Sequence, residues 1–277
     1  MRHNFRKILL YALAAMVLPL PFLFFLATRN ARQSQQMQPC PAIDPALAYL
    51  TSQYNPTYQL LSEVPNAAPD IYWLNNDNFL AALAFQKAGI NTDAEIIEAS
   101  LTKHNATHTD LAKILKRTPV EFPPGVSEVV VKWESADGSE QIRDEVTGSA
   151  AFFEDWDTYT NLSLLAALNE NNQRSHERSL EAFNQALKAF DGTGFRDKAF
   201  DKTYETYKLA MSVYIGKQIG SDFPERNQMV TILLSMQAEN GGFYTHYDAN
   251  FLPAGDTNTE TTSWAILALQ AAGCHIE

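Results

Sequence analysis

Thr259-Glu-Thr-Thr-Ser-Trp-Ala-Ile-Leu-Ala-Leu, residues 259–269, opens on five polar residues and continues as an apolar run rich in Ala and Leu. Three more segments share this build: Asn76-Asp-Asn-Phe-Leu-Ala-Ala-Leu-Ala-Phe, Thr158-Tyr-Thr-Asn-Leu-Ser-Leu-Leu-Ala-Ala-Leu and Tyr204-Glu-Thr-Tyr-Lys-Leu-Ala-Met-Ser-Val-Tyr. Aligned on Asn78, Asn161, Tyr207 and Thr262, they recur at steps of 83, 46 and 55 residues. A step of about 45–55 residues holds one helical hairpin with its loops, and the longest step is close to two. Helices that are apolar nearly all round are buried on every side. Amphipathic stretches lie between them: Asp93–Lys103, Thr109–Lys116, Ser175–Phe190 and Pro224–Gln237, the last with Pro224 in its first turn and Gly241-Gly242 as its stop. The expected fold is therefore all-α, an inner ring of buried helices inside an outer ring of amphipathic ones, with the inner N-termini facing one mouth. Helices at Asp44–Gln53 and Thr57–Ser62 would bring the total to about five hairpins in an incomplete ring. One stretch breaks the pattern: Val126–Lys132 and Gln141–Val146 alternate like strands around Asp137-Gly138, which predicts a β-hairpin at about 126–147.

The 277 residues carry 21 Lys and Arg against 32 Asp and Glu, and the distribution is uneven. Residues 1–39 hold Arg2, Arg6, Lys7, Arg29 and Arg32 and no acid, so the chain from Cys40 onward carries a formal charge of −16. That surface repels phosphate backbones and excludes a nucleic-acid partner for this domain. Ile8 to Thr28 is 21 residues without a charge, the length that spans a hydrocarbon core of about 30 Å. A transmembrane signal anchor at 8–28 is the expectation, with a cleaved signal peptide as the rival reading. The run exceeds an ordinary signal core, and Phe25 or Arg29 stands where a small residue should precede the cut. Arg2, Arg6 and Lys7 place residues 1–7 in the cytoplasm, leaving a linker at 29–39 and an extracytoplasmic domain at 40–277. In that compartment a Cys40–Cys274 disulfide would close nearly the whole domain, the alternative being two unrelated buried thiols. Neither cysteine has metal-ligand spacing around it, and no metal or cofactor is expected.

Gln237-Ala-Glu-Asn-Gly-Gly-Phe-Tyr followed by the 259–269 segment resembles the repeat of the terpenoid cyclase and protein prenyltransferase superfamily, over about 35 residues and more loosely over 158–240. The resemblance implies an α/α toroid. It implies no one reaction, because the same toroid serves polysaccharide lyases, glycosidases and non-catalytic domains. The Asp-x-Asp-Asp motif of the cyclases, the Asp-Cys-His zinc set of the prenyltransferases and the thioester Gly-Cys-Gly-Glu-Gln are all missing. Tyr72-Trp-Leu-Asn-Asn-Asp-Asn and Asp155-Trp-Asp-Thr-Tyr resemble segments of membrane-anchored proteins of unassigned function.

The mouth of such a ring would collect acids and aromatics, a mixture suited to a sugar chain: rings cover apolar sugar faces and carboxylates and amides take hydroxyls. The candidate ligand-binding residues are Trp73, Asp77, Asn78, Trp156, Asn161, Tyr207, His246 and Trp264. Asp157 with Glu260 is the first choice for a catalytic carboxylate pair, and Glu205 is third. The competing reading makes the acids and Asn residues helix caps, the aromatics core, and His246 a solvated loop residue. Two function classes follow. One is a binding or scaffold module for a glycan, peptide or partner subunit. The other is a glycoside hydrolase or polysaccharide lyase acting on a surface glycan, with His246 as a base in the lyase case.

Overall fold

The computed structural model describes residues 41–65, 71–106, 109–122, 125–152 and 154–274, all within the compact unit Pro39–Glu277. The expected anchor at 8–28, the linker and Cys40 lie outside the described residues, and the Cys40–Cys274 pairing with them. Among the described residues no helix is long and apolar enough to cross a membrane.

Nine helices occur among the described residues: α1 (Ile43–Ser52), α2 (Asn75–Lys87), α3 (Asn91–Lys103), α4 (Asp110–Leu115), α5 (Thr160–Asn172), α6 (His176–Leu187), α7 (Thr206–Gln218), α8 (Arg226–Ser235) and α9 (Thr259–Ala271). The four repeated segments form α2, α5, α7 and α9, each 13 residues long. At 1.5 Å per residue each is about 20 Å of rod. Helix α9 packs against α2 and α7, α7 also against α5, and α4 touches both α2 and α5. Every side chain of α9 from Thr261 to Leu269 is buried, and Ala265 and Ala268 keep the helix thin enough for neighbours on several sides. The amphipathic helices behave differently. Helix α6 buries only Ser179, Phe183 and Ala186, a stripe at spacings of four and three, and rests on α5. Helices α3, α8 and α1 rest in the same way on α2, α7 and α9.

The structure is not all-α: it is mixed helix and sheet, with three small sheets among the described residues. Strands β1 (Tyr54–Asn55) and β2 (Leu60–Leu61) replace the helix expected at 57–62. The reason is local. Asn55 Oδ1 accepts the Thr57 N–H at 2.9 Å, Pro56 follows directly, and Gln59 takes φ 56°, so the segment turns back instead of coiling. The expected hairpin is present as β4 (Gly125–Glu134) and β5 (Glu140–Phe152), turning at Gly138 with φ 73°. It extends further than the alternation suggested, and β3 (Ile71–Leu74) adds in parallel beside β5, pairing Trp73 with Ile142. The third sheet, β6 (Tyr204–Glu205), β7 (Tyr244–Tyr247) and β8 (Pro253–Thr257), ties the start of α7 to the loop before α9.

The domain closes where α1 meets the turn after α8. Gly241 has φ 88°, and a Cβ there would stand 2.1 Å from the Pro45 carbonyl oxygen. Gln237 Nε2 donates to Ala42 O at 2.8 Å, and Tyr49 donates its hydroxyl to Thr257 O at 2.9 Å. Gly220 gives an internal control, because it shares a positive φ of 73° but has open space around it. We expect Gly220→Ala to cost about 1 kcal/mol from backbone strain alone. Gly241→Ala should cost about 2–4 kcal/mol, since α1 must also move. Urea midpoints of the two variants check this, and equal losses would contradict the closure described.

Candidate functional site

The N-terminal ends of α2, α7 and α9 bring together five carboxyl groups. Asp77 is the third residue of α2, Glu260 the second of α9, and Glu205 directly precedes α7. Glu63 comes from the loop after β2 and Glu145 from β5. Their placement is enforced by polar clamps. Thr259 donates its N–H to Glu63 O at 2.9 Å and its hydroxyl to Ser62 O at 2.6 Å, which straps the 62–63 loop across the start of α9. Asn258 caps α9 through the Thr261 N–H at 2.8 Å and donates its amide to Glu63 Oε1 at 2.6 Å. On the other flank Asn75 Oδ1 accepts the Glu145 N–H at 3.1 Å, and Asn76 donates to the Glu145 carboxylate.

The consequence is electrostatic crowding. Burial, followed by the neighbouring carboxylates of Glu63, Glu145 and Glu205, pushes Glu260 up to about 8. Burial does the same to Asp77, well above the ordinary carboxylate range, with Glu63, Glu260 and Glu145 adding to it. Glu145 is raised by burial and by Asp144, against the bond from Asn76. Tyr207, at the first turn of α7, is raised by burial and by Glu205 and Glu260, and Tyr72 by burial and by Glu63 and Asp77. Glu260 and Tyr207 remain partly open to solvent although protein surrounds them closely enough for burial to dominate. Asp77, 2% exposed, lies deeper than either.

The cations nearby are already engaged. Lys208 Nζ is 1% exposed, meets Asp197 Oδ2 at 2.6 Å and also pairs with Glu205. Arg143 lies over the Tyr72 ring at 4.3 Å, and Lys132 meets Asp144 at 3.2 Å. Among the described residues Glu63, Asp77, Glu145 and Glu260 make no ion pair. Among the described residues, the buried side-chain atoms without a hydrogen-bond partner are Glu63 Oε2, Trp73 Nε1, Asn76 Oδ1, Asp77 Oδ2, Thr160 Oγ1, Glu170 Oε2 and Thr206 Oγ1. Thr160 and Thr206 are the first residues of α5 and α7, and all of these atoms but that of Glu170, near the end of α5, sit at or beside a helix start. Buried polar atoms are ordinarily satisfied, and a concentration of exceptions marks a place where other polar atoms are received.

Of the residues singled out from the sequence, Asp77, Glu205, Glu260 and Tyr207 lie together at the starts of α2, α7 and α9. Neither Asp77 nor Glu260 is a helix cap, since Leu74 and Asn258 hold those positions. Asp157 is exposed on a short 3-10 turn (Trp156–Thr158) ahead of α5, and no described interaction joins it to Glu260. Trp73 and Trp264, each 1% exposed, are core side chains and not ligand platforms, as their apolar area dictates. Asn78 is fully buried and serves the fold: its amide takes the Leu61 N–H at 2.7 Å and donates to Leu61 O at 2.9 Å. Trp156 is half-buried against the edge of Phe122, with ring centroids 5.5 Å apart, and Asn161 is half-buried in the first turn of α5. His246 pairs with Glu205 across β6 and β7, and its Nδ1 lies 2.9 Å from Thr245 Oγ1. Glu63, Glu145, Asp197 and Lys208 were missed in the sequence. Lys208 alone carried a readable signal, a cation one turn into an otherwise apolar helix.

Among the described residues no group of three or more His, Cys, Asp and Glu is arranged to hold a metal ion. The chemistry open to the site is hydrogen bonding, charge compensation and proton exchange. Comparison with protein-family models, with curated proteins and with solved structures finds no match to this chain.

Proposed function

We propose that this protein is a membrane-anchored, extracytoplasmic α/α toroid whose acidic mouth binds a glycan. The anchor rests on the uncharged run at 8–28, and the toroid on the neighbour relations of α2, α9, α7 and α5 with an amphipathic helix behind each. The observation that carries the binding reading is the gathering of carboxyl groups and of buried polar atoms without a described partner at the starts of α2, α7 and α9, beside Tyr72 and Tyr207. Sugar hydroxyls supply donors and acceptors, and tyrosine rings cover sugar faces. A glycan array of the fragment 40–277 tests it. Glu260→Gln and Tyr207→Ala should each weaken the best hits at least about tenfold, the loss of one or two good contacts, while Asp157→Asn leaves them unchanged. Loss in Asp157→Asn alone, with Glu260→Gln unaffected, would place the ligand on another face.

A second reading has its own support: Glu260 keeps its proton near neutrality while Glu205 is held by Lys208. A carboxyl that keeps its proton near neutrality, with a second carboxyl beside it, supplies the parts of a glycoside hydrolase. Under that reading Glu260 is the general acid, and hydrolysis of the array hits falls off on the alkaline side at about pH 8.

A further inference from the structure

We propose that strand β4 pairs with β4 of a second copy of this chain, antiparallel and centred on Val130, so that two three-stranded sheets join into one of six strands. In the sheet order β3-β5-β4 the last strand is an edge, ten residues long and bonded on one side by β5. Among the described residues, no hydrogen bond from outside that ladder reaches the backbone at 128–132. The outward N–H and C=O groups of this stretch are therefore open to another strand. Its side chains point the same way: Val129 is 60% exposed and Val131 47%, with Val130 and, on β5, Val146 exposed as well. Of the seven large hydrophobic side chains exposed among the described residues, four lie on this one hairpin. Apolar residues scattered over a surface need no partner, but a contiguous set along an edge strand is an association surface.

The charges of the strand decide which partner fits. An edge that is to stay alone ordinarily carries charge of one sign or a proline, which repels or blocks a second edge. Strand β4 instead reads Glu128-Val129-Val130-Val131-Lys132, with opposite charges two residues either side of Val130. A twofold axis at Val130 sets Glu128 of each copy opposite Lys132 of the other and Val129 opposite Val131, while Val130 faces its own counterpart. Facing residues of an antiparallel pair lie on the same side of the sheet, so each match is a side-chain contact. Neighbouring registers lose these matches. Centred on Val131, Glu128 would face Glu134; centred on Val129, Glu128 would face Val130 and Lys132 would face Val126. Lys132 can accommodate a second carboxylate, because it meets Asp144 of its own chain at 3.2 Å with 22% of its side chain exposed, and an ammonium has three N–H donors. The β4–β5 register shifts between Val131 and Trp133, which ends the regular edge there. Pairing is thus confined to about five residues, a small contact with an affinity of about micromolar or weaker.

The test is sedimentation of the full chain in detergent over a range of concentrations, with folding of every variant checked by circular dichroism. Wild type should pass from monomer to dimer as concentration rises. The double variant Val129→Lys, Val131→Lys should weaken the dimer at least about tenfold. Glu128→Lys, which sets like charges opposite each other twice, should weaken it about threefold or more, and about 0.5 M salt should relieve part of that loss. A separate measurement covers the case in which the valine variant misfolds. Facing residues of an antiparallel pair have Cα atoms about 4.5–5.5 Å apart, within reach of a disulfide. Oxidised Val130→Cys should therefore give a dimer linked through residue 130, identified by peptide mapping, whereas Glu134→Cys, far from its own counterpart in this register, should not. A wild type that stays monomeric throughout overturns the proposal. A dimer that survives the valine substitutions and forms no link at residue 130 overturns it too, by placing the contact elsewhere. Weakening by the valine variant with none by Glu128→Lys would contradict the register and with it the choice of a second copy as partner.

Discussion

Lys208→Met should lower the stability of the domain by about 3–5 kcal/mol, the cost of leaving one member of a buried ion pair without its partner. Lys208 and Asp197 are each 1% exposed at the side chain, and their contact is 2.6 Å. Asp197 has further duties. Its Oδ2 accepts the Thr160 N–H at 2.8 Å, the first donor of α5, and its Oδ1 the Ala199 N–H at 3.0 Å. The pair therefore joins the start of α7 to the start of α5 through the 197–199 loop. With Lys208 gone, Asp197 must either take a proton or keep an uncompensated charge in the interior. For a domain of this size the melting temperature should drop by about 10 °C or more. The double variant Lys208→Met, Asp197→Asn removes the charge, its one amide oxygen keeping the bond to Thr160 at the expense of that to Ala199, and should recover part of the loss. Denaturant unfolding followed by circular dichroism measures both. A single variant within about 1 kcal/mol of wild type would show that the pair is not the joint described.

The second large effect is a stability that falls as the solution becomes more alkaline. Glu260 has an ordinary value of 4.5 and stands at about 8 in the folded chain, and Asp77 is shifted the same way. A carboxyl raised by folding binds its proton more tightly in the native state. Its favourable contribution is complete below pH 4.5, declines as pH rises toward 8, and is gone above that. One pH unit of difference corresponds to about 1.4 kcal/mol, so Glu260 alone gives a decline on the order of a few kcal/mol. Carboxyls held low act in the opposite sense at acid pH. Asp137, pulled to about 2 by Ser135 and Ser139, and Asp155, lowered by Lys198, lose their contribution only as pH drops through those depressed values. Between pH 5 and pH 9 these two are already ionised, and the group acting against Glu260 is His104, lowered by burial and by Lys103, whose effect is confined to the acid side of 6.5. Glu260→Gln should flatten the slope and be more stable than wild type at pH 9 by about 2 kcal/mol or more. A wild-type midpoint that rises or stays level over this range contradicts the account.

Most of the helical frame could be read from periodicity, because helices buried on all sides need an unbroken apolar stretch and no other feature of the sequence produces one. The starts of α2, α5, α7 and α9 lie within two residues of the quoted segments. The sheets were less legible. Strands β1, β2 and β6 are two residues long, too short for any alternation to register, and β3 is defined by its partner β5, some seventy residues away. The site divides along the same line. Asp77, Glu205, Glu260 and Tyr207 lie at helix starts and inherit their position from the repeat. Glu63 and Glu145 arrive on a loop and a strand held in place by Asn258, Asn75 and Asn76, contacts that no spacing encodes. Asp157 shows the limit from the other side: it stands one residue before the quoted segment, and a 3-10 turn ahead of α5 leaves it on the surface.

The central claim is that the carboxyls at the starts of α2, α7 and α9 crowd one another until at least one of them keeps its proton at neutral pH. Carbon-13 NMR of the glutamate carboxyls in the ligand-free protein, titrated from pH 4 to pH 10, reads this directly, with Glu260 assigned by the signal missing from Glu260→Gln. The account predicts a Glu260 midpoint at about 8. A midpoint at the ordinary value of 4.5 would show that the five carboxyls do not form a common cluster, and would contradict it.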